Sequence, residues 1–223
     1  YLVIPHRNFR SAAERLASFR SARNGVFARV VDIADVFDAF GRGEKSPHAL
    51  KSFLRYAYEQ WRKPAPRAVL LVGDASWDPR KVSSDAINDD FIPSYGKPVS
   101  DFWYTLIEGD DFIPEMSIGR LPVKTPEQAD AITDKLIEND TMPWQRWQKQ
   151  FLLITGGADP SEQYDFYQSA VYTLVPLLVE PVQRALCADT TIVSLYAGTT
   201  SGLPLPTAIV ERINAGTGWV NYI

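Results

Sequence analysis

Short apolar runs alternate with amphipathic stretches along the whole chain. Leu2–Ile4 is apolar and bounded by Pro5, which reads as a core strand. Asn8 stands where a helix cap belongs, ahead of Ala12, Ala13, Leu16, Ala17 and Phe19, which fall near a helical period and stop at Gly25. Val26–Ile33 is a β-branched run and reads as extended. Pro47 opens a helix whose face carries Leu50, Phe53, Leu54, Ala57, Tyr58 and Trp61, and Pro64 and Pro66 end it.

Ala68–Asp74 follows as a continuous apolar run closed by Gly73-Asp74, the pattern of a parallel strand covered on both faces. A long polar stretch from Ala75 to about Ser100 is a loop, and a loop of that length is usually functional or mobile. Phe102–Ile107 and Glu115–Leu121 read as short strands. Thr125 caps a helix from Pro126 to Asn139, with Glu127 and Gln128 in its first turn.

The alternation breaks at Asp140-Thr141-Met142-Pro143-Trp144 and then restarts. Phe151–Thr155, Thr191–Tyr196 and Trp219–Ile223 read as strands, with helices from about Ser161 to Val179 and from Leu205 to Ala215. Strand, helix, strand order implies parallel pairing through right-handed crossovers. The expected class is therefore α/β, with mainly parallel sheets flanked by helices, in two adjoining subdomains covering residues 1–142 and 143–223.

Composition changes this picture little. The 223 residues are 45% hydrophobic and 22% charged, with net charge −4, which argues against a nucleic-acid binder. No apolar run is long enough to span a membrane, and no leader precedes the first strand. Cys187 is the one cysteine, so no disulfide can form within the chain. Opening and closing on core strands suggests a piece of a longer polypeptide.

The candidate chemistry is acidic. Asp74 ends the central strand, at the edge where open α/β sheets place ligands. Downstream lies Glu108-Gly109-Asp110-Asp111-Phe112-Ile113-Pro114-Glu115. Alternating Asp111, Ile113 and Glu115 on an extended chain can present two carboxylates and a carbonyl to a hard cation such as calcium. Taken alone, the same residues read more readily as a solvated acidic turn, because acidic surface loops are common, and the spacing is not that of an EF-hand. His6 and His48 lack a neighbouring nucleophile in sequence and read as surface or capping residues. Cys187 lacks an adjacent base and reads as structural. Gly156-Gly157 falls short of a dinucleotide fingerprint. Trp103 and Tyr104 beside Asp101 are candidates to line a groove.

Four segments, Val69–Asp74, Ser100-Asp101-Phe102-Trp103-Tyr104, Ile118-Gly119-Arg120-Leu121-Pro122-Val123 and Val220-Asn221-Tyr222, together resemble the gingipain family of cysteine peptidases. That family also includes the sortase of the type IX secretion system. The resemblance covers nearly the whole chain, most firmly Ala68–Asn139. It implies a caspase-like fold with two subdomains and a protein or peptide substrate. It also implies a secreted or cell-envelope bacterial location. It places the catalytic His in a Gly-His-Gly turn directly after the strand matching Val220–Ile223, and the nucleophilic Cys on a later strand. The chain is then expected to be catalytically silent by itself, its dyad supplied by the remainder of its own catalytic domain. The resemblance implies calcium ligation by Asp74, the carbonyl of Glu108, Asp111, the carbonyl of Ile113, and Glu115. The carboxylate that orients the His in that family falls by direct count at Ala158, and Asp159, one residue on, is the candidate for it. The rivals are a non-catalytic scaffold or binding module of the same family, a sortase-like transpeptidase, and a flavodoxin-like binding domain with its ligand at the carboxyl edge.

Overall fold

The computed structural model describes residues 1–76, 78, 90–155, 191–196 and 205–222. The chain divides into two compact units, Tyr1–Met142 and Pro143–Ile223.

The first unit is built on a four-stranded parallel sheet. Its strands are β1 (Leu2–Pro5), β2 (Arg29–Val30), β3 (Ala68–Val72) and β4 (Ser117–Leu121), in the order β2-β1-β3-β4. Period-two alternation sends Leu2, Ile4, Val69 and Leu71 to one core and Val3 and Val72 to the other. The first core is covered by α2 (Ile33–Gly41) and α3 (Pro47–Gln60), through Ile33, Val36, Leu50, Phe53 and Leu54. The second is covered by α1 (Arg10–Asn24) and α4 (Pro126–Thr141), through Phe9, Ala12, Ala13, Ala17 and Ala129. Alanines on α1 allow it to lie close to the sheet and α4. Arg15 reaches Asp130 and Asp134, and Arg20 reaches Asp140, across that helix pair.

Caps set the helix limits. Ser46 Oγ accepts from the His48 amide with Pro47 in the first turn. Thr125 Oγ1 accepts from the Gln128 amide, and Gln128 Oε1 accepts from the Lys124 amide. Gly25, at φ 63°, closes α1 in the left-handed conformation that glycine adopts without strain.

Three elements differ from expectation. The extended stretch over Val26–Ile33 shrinks to Arg29–Val30, because Asp32 caps α2 by accepting from the Ala34 amide. Ile33, Val36 and Phe37 then fall on one buried helical face. Helix α1 is entered not from an Asn8 cap but through a 3-10 turn, Arg7–Phe9, where His6 Nδ1 accepts from the Asn8 amide. Phe102–Thr105 is a 3-10 turn and not a strand, since Ser100 Oγ takes the Phe102 amide and Thr105 Oγ1 returns to the Phe102 carbonyl.

The second unit holds a three-stranded parallel sheet, β5 (Gln150–Thr155), β6 (Thr191–Tyr196) and β7 (Trp219–Tyr222), in the order β6-β5-β7. Helix α5 (Leu205–Asn214) covers it, with Ala208 and Ile209 against Leu152 and Ile154. Phe151 and Trp219 stack at 6.5 Å across adjacent strands. The helix expected over Ser161–Val179, Gly156-Gly157 and Cys187 lie outside the described residues. Among the described residues no helix is long and apolar enough to cross a membrane.

Candidate functional site

Strands β3 and β4 run in parallel, so their carboxyl ends share one edge of the first sheet. Backbone bonds extend the pair past its last residues, Gly73 N–H to Leu121 O and Asp74 N–H to Val123 O. Asp74 thereby sits at the carboxyl edge. Its Oδ1 accepts from the Ala75 amide at 2.9 Å, and its Oδ2 lies 3.6 Å from Lys124 Nζ. His6, at the end of β1, lies edge-on to Phe91 on the same side. Burial holds its imidazole below the usual range, opposed by the charge of Asp32 and reinforced by Arg7 and Lys45.

The dominant feature of this edge is Arg120, whose side chain is 11% exposed. Its guanidinium grips both oxygens of Asp101 at 2.7 Å. It also donates to the carbonyls of Gly73 (2.8 Å), Ile92 (2.7 Å) and Pro93 (3.2 Å), and to Ser94 Oγ (3.2 Å). One planar fork thus ties β3, β4, the 91–94 segment and the Trp103 turn together. Tyr104 reinforces the tie by donating to the Pro93 carbonyl at 2.6 Å, and burial drives its phenol well above the ordinary range. Two of the sequence segments singled out above, Ser100–Tyr104 and Ile118–Val123, meet at this ion pair.

The acidic loop lies elsewhere. Glu115 enters β4 from its amino end, and its Oε2 accepts from the Ile107 amide at 2.6 Å while its own amide bonds the Thr105 carbonyl. Those two bonds close a loop over residues 105–115. Within it, Asp111 Oδ1 accepts from the Ile113 amide at 2.9 Å, and Gly109 takes φ 69° with its missing Cβ 3.6 Å from Asp111 Oδ2. Glu108, Asp111 and Ile113 are exposed.

Glu115 precedes the first β3–β4 pair, Ala68↔Ser117, and Asp74 follows the last, Val72↔Leu121. Glu115 lies two residues before Ser117 and Asp74 two residues after Val72, so at ~3.3 Å per residue the two stand on the order of 25 Å apart along the strands. The five-donor shell expected from the sequence therefore does not form around one point, and Asp74 falls out of it. Among the described residues no group of three His, Cys, Asp or Glu side chains is gathered as a metal site. Glu108, Asp111, Ile113 and Glu115 share the closed loop.

In the second unit, β5 and β7 are parallel neighbours with Ile154 opposite Tyr222. The carboxyl ends of β5 and β7 therefore share one edge of the sheet. Asp159 follows β5 in sequence and lies outside the described residues.

Residues 1–223 match the model of peptidase family C25. Two solved structures from Porphyromonas gingivalis are similar. The complex of the RgpB pro- and mature domains superposes with TM-score 0.67 at 20% identity, covering 99% of this chain and 46% of that one. Dimeric latent PorU superposes with TM-score 0.53 at 26% identity, covering 66% of this chain and 15% of that one. The chain thus spans less than half the length of either. No curated protein sequence matches it. The parallel sheets and flanking helices are those of the caspase-like gingipain fold.

Proposed function

Because this chain belongs to peptidase family C25, we propose that it forms the first part of a cysteine-endopeptidase domain whose catalytic His and Cys lie beyond Ile223. The observation that carries the reading is the family match over the whole chain. The β6-β5-β7 order supports it, because a His following β7 emerges beside the segment that follows β5. In that arrangement a thiolate attacks the peptide carbonyl and the His carries the proton to the leaving amine. Asp159, four residues past β5, takes the role of orienting the His. The residues before Pro143 serve as scaffold, and the substrate is protein or peptide. Gingipain kinship supports a secreted or cell-envelope location in a bacterium. Hydrolysis of a peptide library by the full-length protein tests the reading. Thiol-dependent cleavage that survives Cys187→Ala is expected. Cleavage unaffected by thiol alkylation, or no cleavage at all, would refute it, the latter leaving a scaffold member of the family.

Calcium at the 105–115 loop is a second part of the proposal. Its donors are Asp111, Glu115 and the carbonyls of Glu108 and Ile113, without Asp74. A bound cation would brace the loop. Binding to the folded state alone adds about 2.7 kcal/mol at a hundredfold excess over the dissociation constant. The expected outcome is a melting temperature that rises with calcium, a response lost in Asp111→Ala and kept in Asp74→Ala. Magnesium should substitute poorly, since it demands a strict octahedron. A flat calorimetric titration with calcium would reduce the loop to an ordinary acidic turn.

A further inference from the structure

We propose that the cleft between α3 and the Trp103 turn binds the carboxylates of an acidic peptide segment. The cleft has a volume of about 510 Å³ and is lined along α3 by His48, Lys51, Ser52, Arg55 and Tyr56, with Trp103 opposite. That is room for a few side chains of a bound peptide.

Two cations dominate it. Lys51 and Arg55 are one helical turn apart and so share a face of α3. Lys51 Nζ donates to the Trp103 carbonyl at 2.9 Å, and Arg55 donates to the Ile107 carbonyl at 3.0 Å. An ammonium has three N–H donors and a guanidinium five, so most donors on both groups are left for a ligand. Neither cation has a carboxylate within ion-pair distance among the described residues. Burial holds the Lys51 ammonium below its usual range, and the charge of Arg55 adds to that, with Glu115 opposing. An incoming carboxylate relieves this like-charge pair.

Both groups are already positioned. Lys51 Nζ sits 4.0 Å from the centre of the Trp103 ring, which is stacked on Tyr95 at 3.6 Å and met edge-on by His48 at 5.3 Å. A ligand therefore does not bear the full cost of ordering long side chains. The same aromatic wall, with Tyr56 48% exposed at the rim, offers apolar surface beside the charges. A small inorganic anion has no use for that surface, whereas the residue next to a peptide carboxylate does. Glu59, also in the lining, disfavours acid at its end of the cleft and directs the carboxylates toward Lys51 and Arg55.

Calorimetry on the full-length protein, alkylated to silence peptidase activity, tests the proposal independently of the catalytic reading. The probes are acetyl-Tyr-Glu-Glu-amide, its Tyr-Gln-Gln counterpart and inorganic phosphate. The glutamate peptide is expected to bind at least about tenfold tighter than the glutamine peptide and than phosphate. Lys51→Gln and Arg55→Gln should each weaken it about tenfold, and Lys51→Arg should retain it. The peptide comparison uses unmodified side chains at the cleft, so it decides the matter even where a variant fails to fold. Equal binding of the two peptides, no heat from either, or phosphate matching the glutamate peptide would each overturn the proposal.

Discussion

Replacing Arg120 by Met is expected to destabilise the first unit by about 3 kcal/mol, because removing one partner of a buried ion pair strands the other. Asp101 would keep its charge at a site where its side chain is only 21% exposed. The carbonyls of Gly73, Ile92 and Pro93 would each lose a charged donor. For a chain of this size ~1 kcal/mol shifts Tm by about 2–4 °C, so a fall of about 6–12 °C should appear in thermal melts. Arg120→Lys should recover little, since an ammonium cannot reproduce a planar fork that spans two carboxylate oxygens. In a double-mutant cycle Asp101→Asn and Arg120→Met should couple by more than about 1 kcal/mol. Additive losses in that cycle would mean the pair is solvated and ties nothing together.

Gly73→Ala should cost about 2–3 kcal/mol, combining backbone strain with overpacking. Gly73 takes φ 145°, a region L-residues rarely enter. A methyl group there would lie 2.9 Å from Phe91 Cβ, 3.4 Å from Ile92 Cγ1 and 3.5 Å from Phe9 Cε2. The nearest of these atoms is joined directly to backbone, so it cannot swing aside. The same peptide unit supplies the carbonyl that Arg120 holds, so the losses from Gly73→Ala and Arg120→Met should be less than additive. Urea denaturation of the two single variants and the double variant measures this. A neutral Gly73→Ala would show that the Phe91 segment shifts freely, contrary to its two amide bonds onto the Asp74 carbonyl.

The parts of the fold legible in the sequence are those whose signal is local. β3 is a continuous apolar run, and α3 and α4 carry both a cap and a proline in the first turn. The second helix was hidden because Val26–Ile33 reads as one β-branched stretch, while Asp32 divides it. Its own pattern, Asp32 followed by Ile33, Val36 and Phe37, is a helix start once the cap is given weight. The site was harder to read because acidic residues near one another in sequence say nothing of which end of a strand they occupy. Parallel register sends Asp74 and Glu115 to opposite ends of the β3–β4 pair. The Arg120–Asp101 tie is illegible in the sequence for the same reason, since it joins residues 19 apart through a turn and a strand. The available clue was an arginine set between Gly119 and Leu121 in a strand of the sheet, a place where a charge needs a partner.

On the proposed function, this chain supplies the frame of a C25 peptidase whose nucleophile is not Cys187. Reacting the full-length protein with an irreversible peptidyl inhibitor selective for activated thiols, then locating the label by mass spectrometry of the digest, tests it most directly. The expected result is a label on a cysteine beyond Ile223, with Cys187 unmodified. A label on Cys187 would contradict it.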